Sequence, residues 1–245
     1  MEEKGKLVLG AKLMRAYFDF MYNPVYDLTT AQRGLYQRLQ TTCVDKFKFH
    51  DGDRVLCAGV GTGNEVVHIL RRNNKANIVG VDYSGTALRK AYRKALELDA
   101  RIDVFTMDVR NLKFATETFD KVICLHVMDF IPDYEKATAE IIRVLKRGGE
   151  FVITYPSEKE GSRLGINLLK DSIHQNLGAG NHIKGFPRFL AQIAMSTVYI
   201  PLLLRSKKRP YSCNELEAMF LKLTTGDFHI EAYPMYQDFI VYGRK

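Results

Sequence analysis

Apolar and polar residues along the chain form blocks that predict strands and helices in alternation. Five apolar runs have the length of buried strands, and they cover residues 55–57, 77–82, 102–107, 119–126 and 150–155. Segments with a helical period separate these runs, and the clearest begin after Gly63, at Ser84 and at Asp133. Strands that alternate with helices form parallel sheets through right-handed crossovers. The middle of the chain therefore predicts an α/β fold with a doubly wound, mostly parallel sheet.

The two ends of the chain add further elements to this core. In the N-terminal part, Pro24 is expected to end an amphipathic first helix. The glycine pair 148–149 is expected to stop the helix before the fifth strand. We predict a single domain of four parts: an N-terminal helical cap (1–50), a core (51–156), a helical insertion (157–211), and a terminal helix with an edge hairpin (212–245) that brings the sheet to seven strands.

Composition narrows the functional classes. The 245 residues suffice for one globular domain with a sizeable core, and the net charge of +8 favours nucleic acid, an anionic membrane surface or an acidic substrate as partner. The 4 cysteines lie far apart, without zinc spacings or a disulfide framework, so we predict no metal site and a reducing, cytoplasmic location. The N-terminus lacks a secretory signal, and no uncharged run reaches the ~18 residues of a membrane-spanning helix.

A glycine-rich stretch after the first strand predicts a ligand site. Gly59, Gly61 and Gly63 alternate with other residues between an apolar run and a helical pattern. Glycines let a ligand approach the backbone closely, and the new helix presents N–H groups without partners. The third glycine comes one residue too early for a dinucleotide fingerprint, where Asn64 stands, and the phosphate-binding G-x-x-x-x-G-K-[ST] pattern is absent. A different ligand is indicated.

Polar residues at the ends of the next strands indicate what that ligand is. Asp82 ends the second strand, 19 residues after Gly63, where a carboxylate can accept hydrogen bonds from both hydroxyls of a ribose; the alternative is a residue that only starts a helix. Asp108 follows the third strand and can accept from an adenine amino group, or it is a solvated turn residue. His126 follows the fourth strand and either contacts a ligand or has a structural role.

These motifs, in this order and at this spacing, resemble the class I S-adenosylmethionine-dependent methyltransferases. The resemblance covers roughly residues 54–155 and consists of VLCAGVGTGNE, VGVDYS, TMDVRNLKF, FDKVICLHVMDFI and IIRVLKRGGEFVITYP. It implies a Rossmann-like methyltransferase fold, transferase activity and S-adenosyl-L-methionine as cofactor. The cofactor-binding residues that it implies are Gly59, Gly61 and Gly63 for methionine and ribose, Asp82 and Tyr83 for ribose, Met107, Asp108 and Val109 for adenine, and Leu125 and His126 for the pocket floor.

The chain departs from that family at one position. An acidic residue often stands two positions before the first glycine, where it helps to hold the amino group of the cofactor, but here the position is Cys57. Backbone carbonyls near Gly59 or a tyrosine of the N-terminal segment are the candidates to replace it.

The methyl acceptor has to be inferred from the insertion and the N-terminal aromatic residues. Residues 184–209 contain a charge-free apolar run of 16 residues with basic residues on both sides. That pattern favours either contact with an anionic membrane surface or a helix that only closes the site. The apolar insertion and the N-terminal aromatic residues favour a small lipophilic acceptor that is quinone-, tetrapyrrole- or lipid-like. Faint similarity to quinone-biosynthesis and magnesium-protoporphyrin methyltransferases favours the same class. The candidate catalytic bases are His126, Tyr22 and Tyr26.

Two other functions fit less well. A nucleic-acid methyltransferase is disfavoured because LHVM occupies the place where base-amino methylating enzymes have [DNS]-P-P-[YFW], and because the basic residues do not form a polar stripe. A protein that binds S-adenosylmethionine without catalysis is the other alternative. The acceptor atom and the oligomeric state stay open at this point.

Overall fold

A computed structural model describes residues 13–29, 34–131, 133–157, 211–233 and 238–245, together with positions 170, 173, 174 and 190. The start of the predicted helical cap and nearly all of the predicted insertion, including residues 184–189 and 191–209, lie outside these ranges. In the described part, no helix combines the length and apolar character needed to cross a bilayer.

A single seven-stranded sheet organises the chain, as the sequence predicts. Its strands are β1 (Arg54–Ala58), β2 (Asn77–Asp82), β3 (Asp103–Thr106), β4 (Phe119–Cys124), β5 (Leu145–Pro156), β6 (Phe228–Tyr233) and β7 (Asp238–Arg244). The order across the sheet is β3-β2-β1-β4-β5-β7-β6, and β7 runs antiparallel to both of its neighbours, β5 and β6, whereas the other pairs are parallel. The prediction of a doubly wound, mostly parallel sheet with a terminal hairpin is confirmed.

This strand order determines where a ligand can bind. From β1 the chain moves outward through β2 to β3 and then returns to β4 on the other side of β1. The connections after β1 and β4 therefore diverge, and a crevice opens between them at the carboxyl ends of the strands. The glycine stretch follows β1 and His126 follows β4, so both lie at this crevice.

The described helices pack on both faces of the sheet, and each face buries its own apolar cluster. They are α1 (Asn23–Thr29), α2 (Gly34–Val44), α3 (Asn64–Arg72), α4 (Gly85–Leu96), α5 (Tyr134–Val144) and α6 (Cys213–Leu223). Side-chain oxygens start several of them. The hydroxyl of Ser84 accepts from the N–H of Ala87, and Ser212 forms a reciprocal capping box with Glu215.

The prediction that Pro24 ends the first helix is wrong. Residues 13–17 are helical, a π-helical turn follows at Phe18–Tyr22, and α1 continues through Pro24. The N–H of Asn23 bonds to the carbonyl of Phe18, five residues back. Proline lacks an N–H and crowds the preceding turn, and the wider π turn accommodates both consequences without ending the helix.

The glycine pair 148–149 does not stop the helix before the fifth strand. Helix α5 already ends at Val144, because Leu145 is extended and pairs with Phe119 of β4. Both glycines lie within β5, which is therefore longer than predicted. Strand pairing, which the local sequence does not reveal, thus overrides the glycine signal at this helix end.

The turn between β1 and α3 is held by a close helix contact. Gly63 is the N-cap of α3 and has a φ of +81°. A Cβ at this position would lie 2.7 Å from the Cα and Cβ of Ala91 in α4. Glycine is therefore required here for its backbone conformation and also for the close packing of α3 on α4.

We expect the variant Gly63→Ala to be less stable than Gly52→Ala. Gly52 has nearly the same φ, +82°, but open space around its Cα. Both variants incur the left-handed strain of about 1–2 kcal/mol, whereas only Gly63→Ala adds overpacking of roughly 1–3 kcal/mol. Urea unfolding followed by circular dichroism measures the difference. An equal decrease in the free energy of unfolding in the two variants would contradict the contact with Ala91.

Candidate active site

The glycine turn after β1 has one open position. Gly59 packs against the side chain of Val127, and Gly63 packs against Ala91. Gly61, with a φ of +49°, would place a Cβ in open space with no atom within 4 Å. Of the three glycines that the sequence predicts to contact the cofactor, Gly61 therefore offers the clearest approach to the backbone, whereas the other two also have packing roles.

The carboxylate of Asp82 connects the glycine turn to the end of β2. One oxygen accepts from the N–H of Gly61 at 2.9 Å, and the other accepts from the N–H of Ser84 at 2.8 Å. Burial raises the pKa of Asp82, and these backbone hydrogen bonds oppose that rise. A carboxylate has about four acceptor sites, and the backbone of Gly61, Tyr83 and Ser84 uses three of them, so acceptor capacity remains for a ligand hydroxyl.

The residues after β3 line the same edge of the sheet. The N–H of Met107 donates to the carbonyl of Asp82 at 3.1 Å, and Val109 is buried. Asp108 is engaged by the guanidinium of Arg110, with donor–acceptor distances of 3.0 and 2.6 Å, and this interaction lowers its pKa. Asp108 is thus an oriented, ionised acceptor, and its contact with adenine stays a prediction.

The N-terminal helix is fastened over this edge. Asp19 accepts hydrogen bonds from both the hydroxyl and the N–H of Thr86, and Asn23 donates to the hydroxyl of Ser84 at 2.8 Å. One turn later, Asp27 accepts from Thr62 in the glycine turn and from Lys94 in α4, both at 2.7 Å. The sequence predicts a cap here, but it does not indicate these contacts because they join residues more than 30 positions apart.

Tyr83 lies at the outer rim of the crevice. Its side chain is 41% exposed, and the guanidinium of Arg15 lies 5.5 Å from the centre of its ring. Tyr83 therefore follows Asp82 as predicted, at the position where the N-terminal helix meets the end of β2. Leu125, by contrast, is buried directly after β4, and its contact with the cofactor stays a prediction.

His126 is held between two carboxylates at the end of β4. Its Nδ1 lies 3.5 Å from Asp129, and its Nε2 lies 3.4 Å from the buried Asp238. Its backbone has a φ of +53°, and its N–H donates to the hydroxyl of Thr154 at 2.9 Å. A non-glycine residue in this conformation is uncommon and is maintained by its surroundings. The imidazole is therefore precisely oriented, as a proton-accepting group has to be.

A continuous series of aromatic rings links the N-terminal helix to His126. Tyr22 stacks on Tyr26 with ring centres 5.2 Å apart, Tyr26 meets Tyr36 edge-on at 6.1 Å, and Tyr36 lies 5.1 Å from the ring of His126. The three predicted catalytic candidates therefore lie in one cluster. Tyr36 was not predicted, because its place in an ordinary amphipathic helix gives no sign of this contact.

Glu65 is a second residue that the sequence analysis missed. It lies in the first turn of α3 and is only 8% exposed. Burial raises its pKa to about 8, although the charges of Lys94 and His126 oppose the rise. An acidic residue two positions after the last glycine is the available signal, but the helical pattern alone did not indicate that its side chain turns inward.

Comparison with known proteins identifies the family. Residues 55–149 match the family described as a methyltransferase domain. A putative methyltransferase, YrhH, from Bacillus subtilis is 30% identical over 166 residues, which are 66% of this chain and 87% of that protein. The chain belongs to the class I S-adenosylmethionine-dependent methyltransferases. Its cofactor is S-adenosylmethionine, as predicted.

Other relatives share mainly the cofactor-binding half. A phosphatidylethanolamine N-methyltransferase from Cereibacter sphaeroides is 36% identical over 104 residues, 42% of this chain and 50% of that protein. A ubiquinone/menaquinone biosynthesis C-methyltransferase from Syntrophotalea carbinolica is 31% identical over 132 residues, 53% of this chain and 56% of that protein. The chain thus spans about half the length of these two curated relatives.

Solved structures show the same fold over almost the whole chain. Magnesium protoporphyrin IX methyltransferase from Synechocystis with bound S-adenosylhomocysteine superimposes with a TM-score of 0.62 at 16% identity, covering 96% of this chain and 99% of that chain. The expected Rossmann-like methyltransferase fold is therefore confirmed.

The crevice of this chain fits the cofactor. Asp82 retains acceptor capacity for a hydroxyl, and Gly61 leaves open space beside it. The partly buried Met107 and the buried Val109 provide apolar contact nearby. When bound, S-adenosylmethionine supplies a methyl group on a sulfonium: an aligned nucleophile would bond to the methyl carbon as the carbon–sulfur bond breaks, and S-adenosylhomocysteine would leave as a neutral thioether. The protein's contribution is to align the acceptor, exclude water and, where the acceptor carries a proton, remove that proton.

We expect Asp82→Asn to weaken binding of S-adenosylhomocysteine more than tenfold in isothermal titration calorimetry. The amide has a single acceptor oxygen, so it can satisfy Gly61 or Ser84 but not both, and it has no charge to attract ribose hydroxyls. Asp103→Asn, at an exposed position on β3, is the matched control and is expected to leave affinity unchanged. Unchanged affinity in Asp82→Asn would reject the ribose role.

Proposed function

We propose that this protein transfers the methyl group of S-adenosylmethionine to a small lipophilic acceptor with a flat or aromatic reacting part. The observation that carries the proposal is the ring series from Tyr22 to His126. It runs from the N-terminal helix to the end of β4, beside the crevice that fits the cofactor. Aromatic side chains favour offset or edge-on contact with a flat apolar ligand and contribute about 0.5–1.5 kcal/mol per pair beyond area burial.

The surface beside this series is also apolar. Phe18 contacts both Tyr22 and Phe130, with ring centres 5.1 and 5.6 Å apart. Phe130 is 43% exposed, and Phe20 on the same N-terminal segment is 78% exposed. Large exposed apolar side chains next to a binding crevice are typical of sites that receive lipophilic ligands. The surface beside the ring series is thus apolar, as the proposed acceptor is.

His126 is the best placed of the three candidate bases. Its ring ends the aromatic series, and its two nitrogens lie near the carboxylates of Asp129 and Asp238. In this proposal one nitrogen takes the proton from a phenolic, enolic or amine acceptor as the new bond to the methyl carbon forms. A neighbouring carboxylate stabilises the resulting imidazolium, in the manner of other carboxylate-oriented histidines. Tyr22 and Tyr26 then position the acceptor.

The relatives support this acceptor class. They include proteins named for phosphatidylethanolamine, for ubiquinone and menaquinone biosynthesis, and, by fold, for magnesium protoporphyrin IX. These acceptors share a large apolar part. We extend that shared property to this chain, and we leave the individual acceptor to experiment.

Methyl transfer is tested with S-adenosylmethionine that carries a labelled methyl group. Purified protein is incubated with total lipid extract, and the label is expected to enter an organic-soluble product that mass spectrometry then identifies. RNA and a protein extract serve as competing acceptors. Label that enters RNA or protein but no organic-soluble product would overturn the proposal.

The His126→Gln variant then tests the base. We expect kcat to fall 10²-fold or more, the usual size of a general-base contribution, with cofactor affinity changed less than threefold. Tyr22→Phe and Tyr26→Phe are the matched variants, and each is expected to raise KM more than it lowers kcat. A larger loss of kcat in either tyrosine variant than in His126→Gln would assign the base to that tyrosine.

We also propose that residues 184–209 bring the protein to an anionic membrane surface, where lipophilic acceptors are concentrated. This proposal rests on the sequence of the segment. A charge-free apolar run lies there between Lys184 and Arg188 on one side and the basic cluster 205–209 on the other. Basic residues near an anionic surface contribute about 1 kcal/mol each.

Vesicle flotation tests this membrane contact. At low salt the protein is expected to float with vesicles that contain anionic phospholipid and not with neutral vesicles. The triple variant Lys207→Glu, Lys208→Glu, Arg209→Glu should abolish flotation, whereas the same change of charge at the exposed Arg93, Arg101 and Lys222 should not. Failure of the unaltered protein to float at low salt would refute the proposal.

A further inference from the structure

Cys57 stands at the position where related enzymes often have an acidic residue that helps to hold the amino group of the cofactor. Cys57 is fully buried at the end of β1, and burial raises the pKa of its thiol far above its ordinary value. The thiol therefore stays neutral. Asp82, the acid at the end of β2, is already engaged by Gly61 and Ser84 and is oriented for hydroxyls.

Glu65 brings a carboxylate to the same place from another element. Its charge raises the pKa of the thiols of Cys57 and Cys124, which lie near the carboxyl ends of β1 and β4. These are the strands between which the crevice opens. Its position in the first turn of α3, directly after the glycine turn, keeps it beside Gly61 and Gly63.

Within the described ranges, no cation lies within ion-pairing distance of the Glu65 carboxylate. Lys94 is the nearest candidate, but its ammonium group donates to Asp27 and Asn64, both at 2.7 Å, and to Thr62 at 3.3 Å. A lysine has three donors, so Lys94 is fully used. A carboxylate that is more than nine-tenths buried without a cationic partner is costly unless a ligand compensates it.

We propose that Glu65 binds the α-amino group of S-adenosylmethionine, in the role that an acid at position 57 has in related enzymes. The inference rests on S-adenosylmethionine being the cofactor. The ammonium of the methionine part is the expected partner, because the other buried acid at this edge, Asp82, already accepts from Gly61 and Ser84, whereas Glu65 is buried directly after the glycine turn. Glu65 thereby selects for a cofactor that carries an amino acid, not just an adenosine.

Proton linkage follows from the same placement. Without ligand, a carboxyl group with a pKa of about 8 is mostly protonated at pH 7. An ammonium group beside it favours the ionised form, so binding releases a proton below pH 8 and affinity rises as the pH approaches 8. The charged and titratable groups that face Glu65 are Lys94 of α4, Asp82 of β2, His126 after β4, Tyr36 of α2, Cys57 of β1 and Cys124 of β4.

Calorimetry with two ligands tests the proposal. S-adenosylhomocysteine carries the amino group, and its deamino analogue, an adenosine thioether of 4-sulfanylbutanoate, differs from it only in lacking that group. We expect Glu65→Gln to lower the affinity for S-adenosylhomocysteine at least tenfold and the affinity for the deamino analogue less than threefold. Glu217→Gln, at an exposed position on α6, is the control and should change neither.

Each outcome decides the proposal. If Glu65→Gln lowers the affinity for both ligands equally, Glu65 has a structural role and the proposal is overturned. Unchanged affinity for both ligands would also overturn the proposal. Titrations at pH 7 in buffers of different ionisation enthalpy give a second readout: the unaltered protein should release more protons than Glu65→Gln on binding S-adenosylhomocysteine. Failure of the unaltered protein to bind S-adenosylhomocysteine would instead count against the cofactor assignment itself.

Discussion

The pair of hydrogen bonds from Gly61 and Ser84 to the carboxylate of Asp82 is the interaction on which the site depends. It joins the turn after β1 to the turn after β2, and the N–H groups of Gly59 and Val60, which donate to the carbonyl of Val81, strengthen this connection. Ser84 in turn caps α4 and accepts a hydrogen bond from Asn23 of the N-terminal helix. One buried carboxylate therefore fixes the glycine turn, the start of a helix and, through that helix, the cap that covers the crevice.

The parts of this arrangement that depend on local sequence were predictable. The strand at 77–82 has the predicted bounds, and Ser84 caps the next helix as expected. Both follow from period and capping chemistry over a few neighbouring residues. Pro24 and the glycine pair 148–149 were misjudged because the outcome depended on a π turn and on pairing of Leu145 with β4. Local signals of helix termination are weaker than such tertiary constraints.

The site itself was predictable only on the cofactor side. Gly61, Asp82 and His126 could be found because the ends of parallel strands meet at one edge of a sheet. Glu65 and Tyr36 could not, because each lies on an amphipathic helix where burial depends on what packs against it. Their importance comes from neighbours far away in sequence: Tyr36 contacts His126, and Glu65 interacts with Cys57 and Cys124.

The replacement of an acid at position 57 by one at position 65 has a physical consequence for the whole crevice. A strand end is held rigidly by its sheet, and a carboxylate there would lie directly between β2 and β4. A helix end is held by the contact of Gly63 with Ala91, so the position of Glu65 depends on how α3 packs on α4. In the proposed arrangement, packing of α3 on α4 becomes a requirement for holding the methionine part of the cofactor. The carboxylate of Asp82, by contrast, is positioned by the end of β2 and by its hydrogen bonds from Gly61 and Ser84.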